Sequence, residues 1–157
     1  MSDMKTDHPT VSELDAHLGF WLRYVSNHVS ASFARLMEAN DVTVSDWVAL
    51  RQLYRAGAST PSELMEVLGM TKGAISKIIT RLQAKGLVQR TVAADDKRAS
   101  NILLTAAGAR LVPKLAALAD QNDEAYFGHL DAAQRTSLID AMKQIVRMQQ
   151  LKQIPTE

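Results

Sequence analysis

The sequence contains no cysteine, and this absence removes several kinds of chemistry at once. Without a thiol there can be no disulfide, no cysteine nucleophile, no cysteine-ligated zinc and no redox sensor of the cysteine type. The four histidines, at positions 8, 17, 28 and 129, form no pair at the spacing of one helical turn. We therefore predict no metal site.

Enzyme motifs and long apolar runs are also missing. The chain has no glycine-rich phosphate loop, no G-x-S-x-G turn and no H-E-x-x-H helix, so we predict no catalytic residue and no cofactor. No segment approaches the roughly 18 consecutive apolar residues of a membrane helix. The first ten residues carry acids and no apolar run, unlike a secretory signal. These absences favour a cytoplasmic protein that is not an enzyme and has no membrane partner.

The charged residues are unevenly distributed. The chain has 157 residues and a net charge of only +1, yet seven of its 18 basic residues and two of its 17 acidic residues lie between residues 71 and 98. That segment therefore carries +5 and the remainder of the chain −4. A basic block on an otherwise acidic chain is typical of a surface that binds a polyanion, although a solvated cationic surface has the same composition.

The basic block contains a predicted helix with two different faces. Thr71 is placed to cap its start, and Gly86 to end it after Lys85. Its apolar residues recur at the spacing of one buried face: Ile75, Ile78, Ile79 and Leu82. The opposite face carries short polar and basic residues and no acid: Lys72, Gly73, Ser76, Lys77, Thr80 and Arg81. A helix of this kind has the width to enter the major groove of DNA.

The segments around this helix complete a recognisable motif. Before it, Thr60, Pro61 and Glu63 predict a short helix with a T-x-x-E capping box and proline at its first position. After it, the apolar period changes, which predicts strands at residues 87–92 and 100–104 around the polar loop AADDKRA. Short helix, turn, basic helix and hairpin are the order of a winged helix-turn-helix. Residues 56–59 are predicted as a turn, after a helix that starts at Ser45.

Long helical patterns flank this motif. The first runs from a predicted cap at Ser12 to about residue 39, too long for one small core, so we expect part of it to pack on another subunit. Thr105 starts a helix that we expect to run to about residue 130, with a kink but no break at Pro113. Asp131 and Gln134 predict a capping box for the last helix. Their apolar stripes suit a subunit interface or an ordinary intrachain core.

Residues 86–108, GLVQRTVAADDKRASNILLTAAG, resemble the G-L-[VI]-x-R, D-x-R and L-T-x-x-G pattern of the MarR family of bacterial transcription regulators. Asp96 and Arg98 match the D-x-R pair, and Leu104, Thr105 and Gly108 match the L-T-x-x-G. The resemblance implies a single domain over residues 1–157, mainly α with a small β-hairpin. It comprises a winged helix-turn-helix DNA-binding lobe (residues 45–104) and N- and C-terminal dimerisation helices (residues 12–39 and 106–153).

The resemblance also implies a homodimeric repressor of transcription that binds a pseudo-palindromic operator in double-stranded DNA. The basic helix would enter the major groove, and Arg98 the minor groove, with Asp96 holding it in line. A simple salt bridge within the loop is the plainer alternative for this pair. The predicted DNA-binding residues are Thr71, Lys72, Gly73, Ser76, Lys77, Thr80, Arg81, Asp96, Lys97 and Arg98.

Many regulators of that family are released from DNA by small aromatic acids or phenols. Here Trp21, Tyr24 and His28 share one side of the first predicted helix, and Trp47 and Arg51 are one turn apart on the second. Two aromatic walls and a cation suit a flat anionic ligand, although aromatic residues at helical spacing are usually core. These five residues are the candidate effector site.

Two other functions use the same fold. One is non-specific architectural binding of DNA, which a comparison of specific with random DNA would distinguish. The other is a winged helix that binds a protein, which has no need of a face with charge +5.

Overall fold

The structure, a computed structural model, describes the backbone of residues 8–93 and 96–152 and the side chains of residues 8–92 and 100–152. In this part of the chain the elements are α1 (Leu18–Glu38), α2 (Val44–Ala56), β1 (Ala58–Ser59), α3 (Pro61–Leu68), α4 (Lys72–Ala84), β2 (Val88–Ala93), β3 (Asp96–Leu104), α5 (Ala106–Phe127) and α6 (Ala132–Met148). The predicted fold, mainly helical with a winged helix-turn-helix, is confirmed. None of these helices is long and apolar enough to cross a bilayer.

The core lies where α2, α3 and α4 meet the sheet and α5. Its fully or nearly fully buried side chains include Leu50, Leu53, Leu64, Leu68, Ile102, Val112 and Leu115. The predicted inner face of α4 is confirmed, since Ile75, Ile78, Ile79 and Leu82 are all at most 4% exposed. This burial fixes which side of α4 faces outward.

The three strands form one antiparallel sheet in the order β1-β3-β2. The prediction of a turn at residues 56–59 was wrong for its second half, because β1 pairs with β3 and places Ser59 opposite the buried Ile102. This pairing covers the edge of β3 that β2 leaves open. In the hairpin, Val88 lies opposite Leu104, and the register shifts between Val92 and Ala93. The predicted loop is shorter than expected, since β3 already begins at Asp96.

Two predicted helix starts were wrong. The chain forms a 3₁₀ turn at Leu14–Ala16, and α1 begins only after an extended His17. The Trp21 indole N–H donates to the Asp15 carbonyl at 2.8 Å. In a continuous helix that carbonyl would instead accept a hydrogen bond from a backbone N–H four residues later. The second helix is capped by Thr43, two residues before the predicted start at Ser45, and Asp46 completes a capping box with Thr43.

The C-terminal helices follow the prediction more closely. Thr105 caps α5, which continues through Pro113 without a break and ends at Phe127, about three residues earlier than expected, with Gly128 as its C-cap. The kink stays a prediction. Asp131 and Gln134 form the expected capping box of α6.

Candidate nucleic-acid interface

The helix α4 is held at its start by local capping. The Thr71 hydroxyl accepts from the Ala74 N–H at 3.2 Å. In α3 the predicted capping box is present, with the Glu63 N–H donating to the Thr60 hydroxyl at 3.1 Å and the Thr60 N–H to the Glu63 carboxylate at 3.0 Å. Gly69, in the left-handed region at φ +63°, ends α3 and turns the chain into α4. Both helices of the motif therefore have defined ends.

The outward face of α4 exposes the residues that the sequence placed there. Lys72, Gly73, Ser76, Lys77 and Thr80 are all exposed, and a β-carbon added at Gly73 would meet no atom within 4 Å. A groove of about 410 Å³ runs along this face, lined by Ser76, Lys77, Thr80, Arg81 and Ala84. Among the residues whose side chains the structure describes, none that lines the groove is acidic, so the groove is suited to a polyanion.

Arg81 differs from the other predicted contacts because it is already paired. Its Nε donates to the two carboxylate oxygens of Asp46 at 3.0 and 3.2 Å, and a further guanidinium nitrogen donates to the same carboxylate. Asp46 has no exposed surface, whereas the Arg81 side chain is 37% exposed. The hydrogen bond that Arg81 donates to Asp46 raises the pKa of Arg81, an effect that burial partly opposes. The guanidinium is thus shared between the interior of the lobe and its outer face.

The end of α4 is tied to the wing and to α5. Gly86 adopts φ +71°, and the Leu87 N–H closes the helix on the Leu82 carbonyl at 3.0 Å. The Thr105 hydroxyl donates to the Gly86 carbonyl at 2.6 Å and accepts from the Gly108 N–H at 3.1 Å. The residues of the L-T-x-x-G pattern therefore connect the end of α4, the end of β3 and the start of α5.

The predicted wing-tip contacts fall at the limit of the described structure. Asp96, Lys97 and Arg98 form the start of β3, and their side chains lie outside the described part. The proposed pairing of Asp96 with Arg98 stays a prediction. On β2, the side chain of Arg90 is exposed and adds a described cation to the hairpin.

The five candidate effector residues are distributed over several environments. Tyr24 and His28 stack with ring centroids 5.3 Å apart on α1, and both are exposed. Trp47 is half-buried against the core, and Arg51 is exposed one turn later on α2. Trp21 lines a cavity that is larger than the groove on α4 and is separate from it. A single chain therefore does not gather all five around that cavity.

The larger cavity lies between α1, α5 and α6 and has a volume of about 590 Å³. Its walls are mainly apolar and include Leu18, Trp21, Leu22, Val25, Phe127, Leu138 and Met142. Several of these side chains are about half exposed, and α6 has no buried residue at all. Exposed apolar faces of this extent mark a surface that another molecule covers. Among the described residues, no group of three or more acidic, histidine or cysteine side chains is placed to hold a metal.

Sequence reasoning missed Asp46 as part of this interface. The T-x-x-D spacing from Thr43 was a readable signal for the cap, but the partner on α4 is 35 residues away. Asn122 was also missed. It is buried at 6% exposure and donates to the Val29 carbonyl at 3.2 Å, which fixes α5 against α1.

Comparison with known proteins places this geometry in context. A model described as "MarR family" matches residues 40–99. The HTH-type transcriptional repressor NicR of Pseudomonas putida is 26% identical over 137 residues, 87% of each chain. The multiple antibiotic resistance protein MarR of Escherichia coli is 33% identical over 82 residues, covering 52% of this chain and 57% of that one. A crystal structure of a MarR mutant from E. coli complexed with operator DNA superimposes with a TM-score of 0.72 at 25% identity, covering 82% and 93% of the two chains.

Proposed function

Because the chain belongs to the MarR family of transcription regulators, we propose that it is a homodimeric repressor that binds a specific operator in double-stranded DNA. One observation carries the proposal. The outward face of α4 exposes small and basic side chains, with no acid among the described residues of its groove, on a helix whose opposite face is buried. That arrangement presents a helix of the right width and charge to a major groove.

The proposed contacts divide by what they recognise. Lys72, Ser76 and Lys77, in the first half of α4, would reach base edges and nearby phosphates, and the absent side chain of Gly73 would let the backbone approach. Thr80 would bind phosphates, which position the helix without reading sequence. At the wing, Lys97 and Arg98 would enter the adjacent minor groove. The DNA-binding lobe would then comprise residues 45–104.

The dimer would form through α1, α5 and α6. In one chain, α6 exposes a continuous apolar side composed of Leu138, Ile139, Met142, Ile145 and Val146, each between 37% and 49% exposed. The apolar side of α1 is exposed to a similar degree. Two copies can cover these faces mutually, and the twofold symmetry of such a dimer matches a pseudo-palindromic operator.

The proposed signal is a small aromatic or phenolic ligand that releases the DNA. Along α1, four rings form a chain of contacts with centroids 5.2 to 5.9 Å apart: Phe20, Trp21, Tyr24 and His28. Phe20 is half-buried and the other three are exposed in the single chain. Such an edge can stack on a flat ligand. The intrinsic fluorescence of Trp21 and Trp47 should therefore change on titration with a panel of aromatic carboxylates and phenols. Fluorescence that ignores the whole panel would remove this part of the proposal.

Binding to the DNA upstream of the protein's own coding region tests the main proposal. The comparison is an unrelated fragment of equal length, with Lys77→Ala and Arg98→Ala beside wild type. Arg110→Ala is the matched control, since Arg110 is an exposed cation on α5 outside the basic segment. We expect wild type and the control to prefer the upstream DNA by about a hundredfold or more, and the two test variants to lose most of that preference.

The opposite results are equally informative. Equal binding to both fragments would favour a non-specific architectural DNA-binding protein. No binding to either fragment, with the protein folded, would favour the third function, a winged helix that binds a protein.

A further inference from the structure

Asp46 is a buried charge that the proposed DNA contacts leave unexplained. It lies in the first turn of α2 with 0% exposure, and the described structure satisfies its carboxylate fully. One oxygen accepts from the Thr43 N–H at 3.0 Å, and both accept from Arg81. A charge is costly to bury unless it is paired and hydrogen-bonded. The buried Asp46 carboxylate therefore needs the Arg81 guanidinium beside it, and the pairing holds both side chains in place.

The pair restrains the second half of α4 through directed hydrogen bonds, in addition to those that hold the two ends of the helix. The inner face of α4 is made of isoleucine and leucine, whose burial is non-directional. The planar guanidinium of Arg81 instead meets the carboxylate through several hydrogen bonds of defined direction. Because α2 is anchored in the core through Leu50 and Leu53, the pair ties the rotation of α4 to a fixed element.

The pair also changes the charge that α4 presents. Arg81 lines the same groove as Lys77 and remains 37% exposed. An unpaired arginine there would bind any phosphate, and phosphate contacts carry no sequence information. The negative charge of Asp46, on the buried side of the Arg81 guanidinium, reduces the attraction of Arg81 for phosphates in general.

We infer that Asp46 is a positioning residue for operator recognition, which orients α4 through Arg81 and keeps that guanidinium from binding phosphates indiscriminately. The inference rests on the proposed function. According to this inference, Asp46 contributes to the preference for one DNA sequence over another although it lies on α2, away from the outward face of α4.

Asp46→Asn is the test variant. An asparagine oxygen can still accept from the Thr43 N–H, so the helix cap is retained, while the charge and the second acceptor are lost. Glu63→Gln is the matched control. Glu63 occupies the same capping-box position in α3 and loses the same charge, but its described hydrogen bonds go only to Thr60.

The measurement is affinity for the upstream fragment and for unrelated DNA of equal length over a range of salt concentrations. We expect Asp46→Asn to reduce the preference for the upstream fragment about tenfold or more, the effect of one lost base contact. We also expect its affinity for unrelated DNA to rise and the log–log salt slope on that DNA to steepen by about 2 for a dimer, since each protomer frees one cation. Glu63→Gln should keep the wild-type preference. A general loss of stability would not steepen the slope.

Arg81→Gln and the double variant complete the design. Arg81→Gln should lose preference without the steeper slope, and the double variant should lose no more than Asp46→Asn alone, because the two residues act as one unit. If circular dichroism shows Asp46→Asn to be unfolded, Arg81→Lys takes its place. Lysine keeps the charge but not the forked geometry, so it should lose preference as well.

Several results would overturn the inference. Wild-type preference in Asp46→Asn would do so, as would losses that multiply in the double variant, or full preference in Arg81→Lys. Each leaves the proposed function intact, because wild type still prefers its operator. If wild type itself shows no preference, the proposed function fails and this inference fails with it.

Discussion

The carbonyl oxygen of Leu87 occupies the space in which a side chain of residue 108 would begin. A β-carbon built on Gly108 would lie 2.1 Å from that oxygen, far inside any van der Waals contact. Leu87 joins the end of α4 to the wing, and Gly108 lies in the first turn of α5. The glycine of the L-T-x-x-G pattern is therefore required by a close backbone approach between the segment that follows α4 and the first turn of α5.

Gly108→Ala should destabilise the fold by about 1–3 kcal/mol, because the backbone at Leu87 must move to admit a methyl group. Gly73→Ala is the matched control, since it changes a glycine in the first turn of α4 that has open space around it. There alanine should stabilise the helix by up to about 1 kcal/mol. Urea unfolding followed by circular dichroism measures both. Equal losses from the two substitutions would contradict the close approach.

Thr105→Ala should cost about 1–3 kcal/mol of unfolding free energy. The substitution removes both the cap of α5 at Gly108 and the bond to the Gly86 carbonyl. Thr105→Ser keeps the hydroxyl and should remain close to wild type. Chemical denaturation of the two variants side by side gives the answer, and a serine variant as unstable as the alanine variant would show that the hydroxyl is not responsible.

Met142→Glu should dissociate the proposed dimer. Met142 is on the exposed apolar side of α6, and a dimer would bury one unpaired carboxylate from each protomer. We expect the dimer dissociation constant, measured by sedimentation equilibrium, to rise on the order of a hundredfold or more. Gln144→Glu adds the same charge at an exposed position two residues along α6 and should leave the dimer intact. A dimer that survives Met142→Glu would place the interface elsewhere.

Operator binding should weaken steeply with salt. Two copies of the basic segment could neutralise about eight phosphates, which corresponds to a log–log slope near −7. Lys77→Ala should make the slope shallower by about 2, one phosphate contact for each protomer, whereas Arg110→Ala should leave it unchanged. Fluorescence anisotropy with labelled operator at several salt concentrations measures these slopes. A slope near zero for wild type would contradict phosphate-dominated binding.

Features governed by neighbours in the sequence were predictable here. The capping box of Thr60 and Glu63, the left-handed Gly86 and the buried face of α4 all follow from residues within one or two helical turns. The overall fold followed from these elements in order, together with the pattern around the wing. Local patterns alone therefore located the outward face of α4.

Features that join distant segments could not be predicted in the same way. The partner of Arg81 is 35 residues away, and β1 is a strand only because β3 has an open edge beside it. The 3₁₀ turn before α1 depends on the Trp21 indole, which reaches back to Asp15. Each depends on a spatial neighbour that local periodicity does not reveal. For the same reason, the sequence could not show that Arg81, a predicted DNA contact, is already paired with Asp46.

The continuity of α5 determines how a displacement at one end of the helix reaches the other end. The helix spans 22 residues, about 33 Å, from Thr105 beside the end of α4 to Phe127 at the apolar cavity. Asn122 and Tyr126 pin its far end to the carbonyls of Val29 and His28. In the proposed dimer, a change in the tilt of α5 at this far end would displace its other end, beside α4. A tilt of about 5° there would shift the neighbourhood of α4 by about 3 Å, nearly the rise of one DNA base pair, so a ligand at the far end of α5 could abolish operator fit without touching α4.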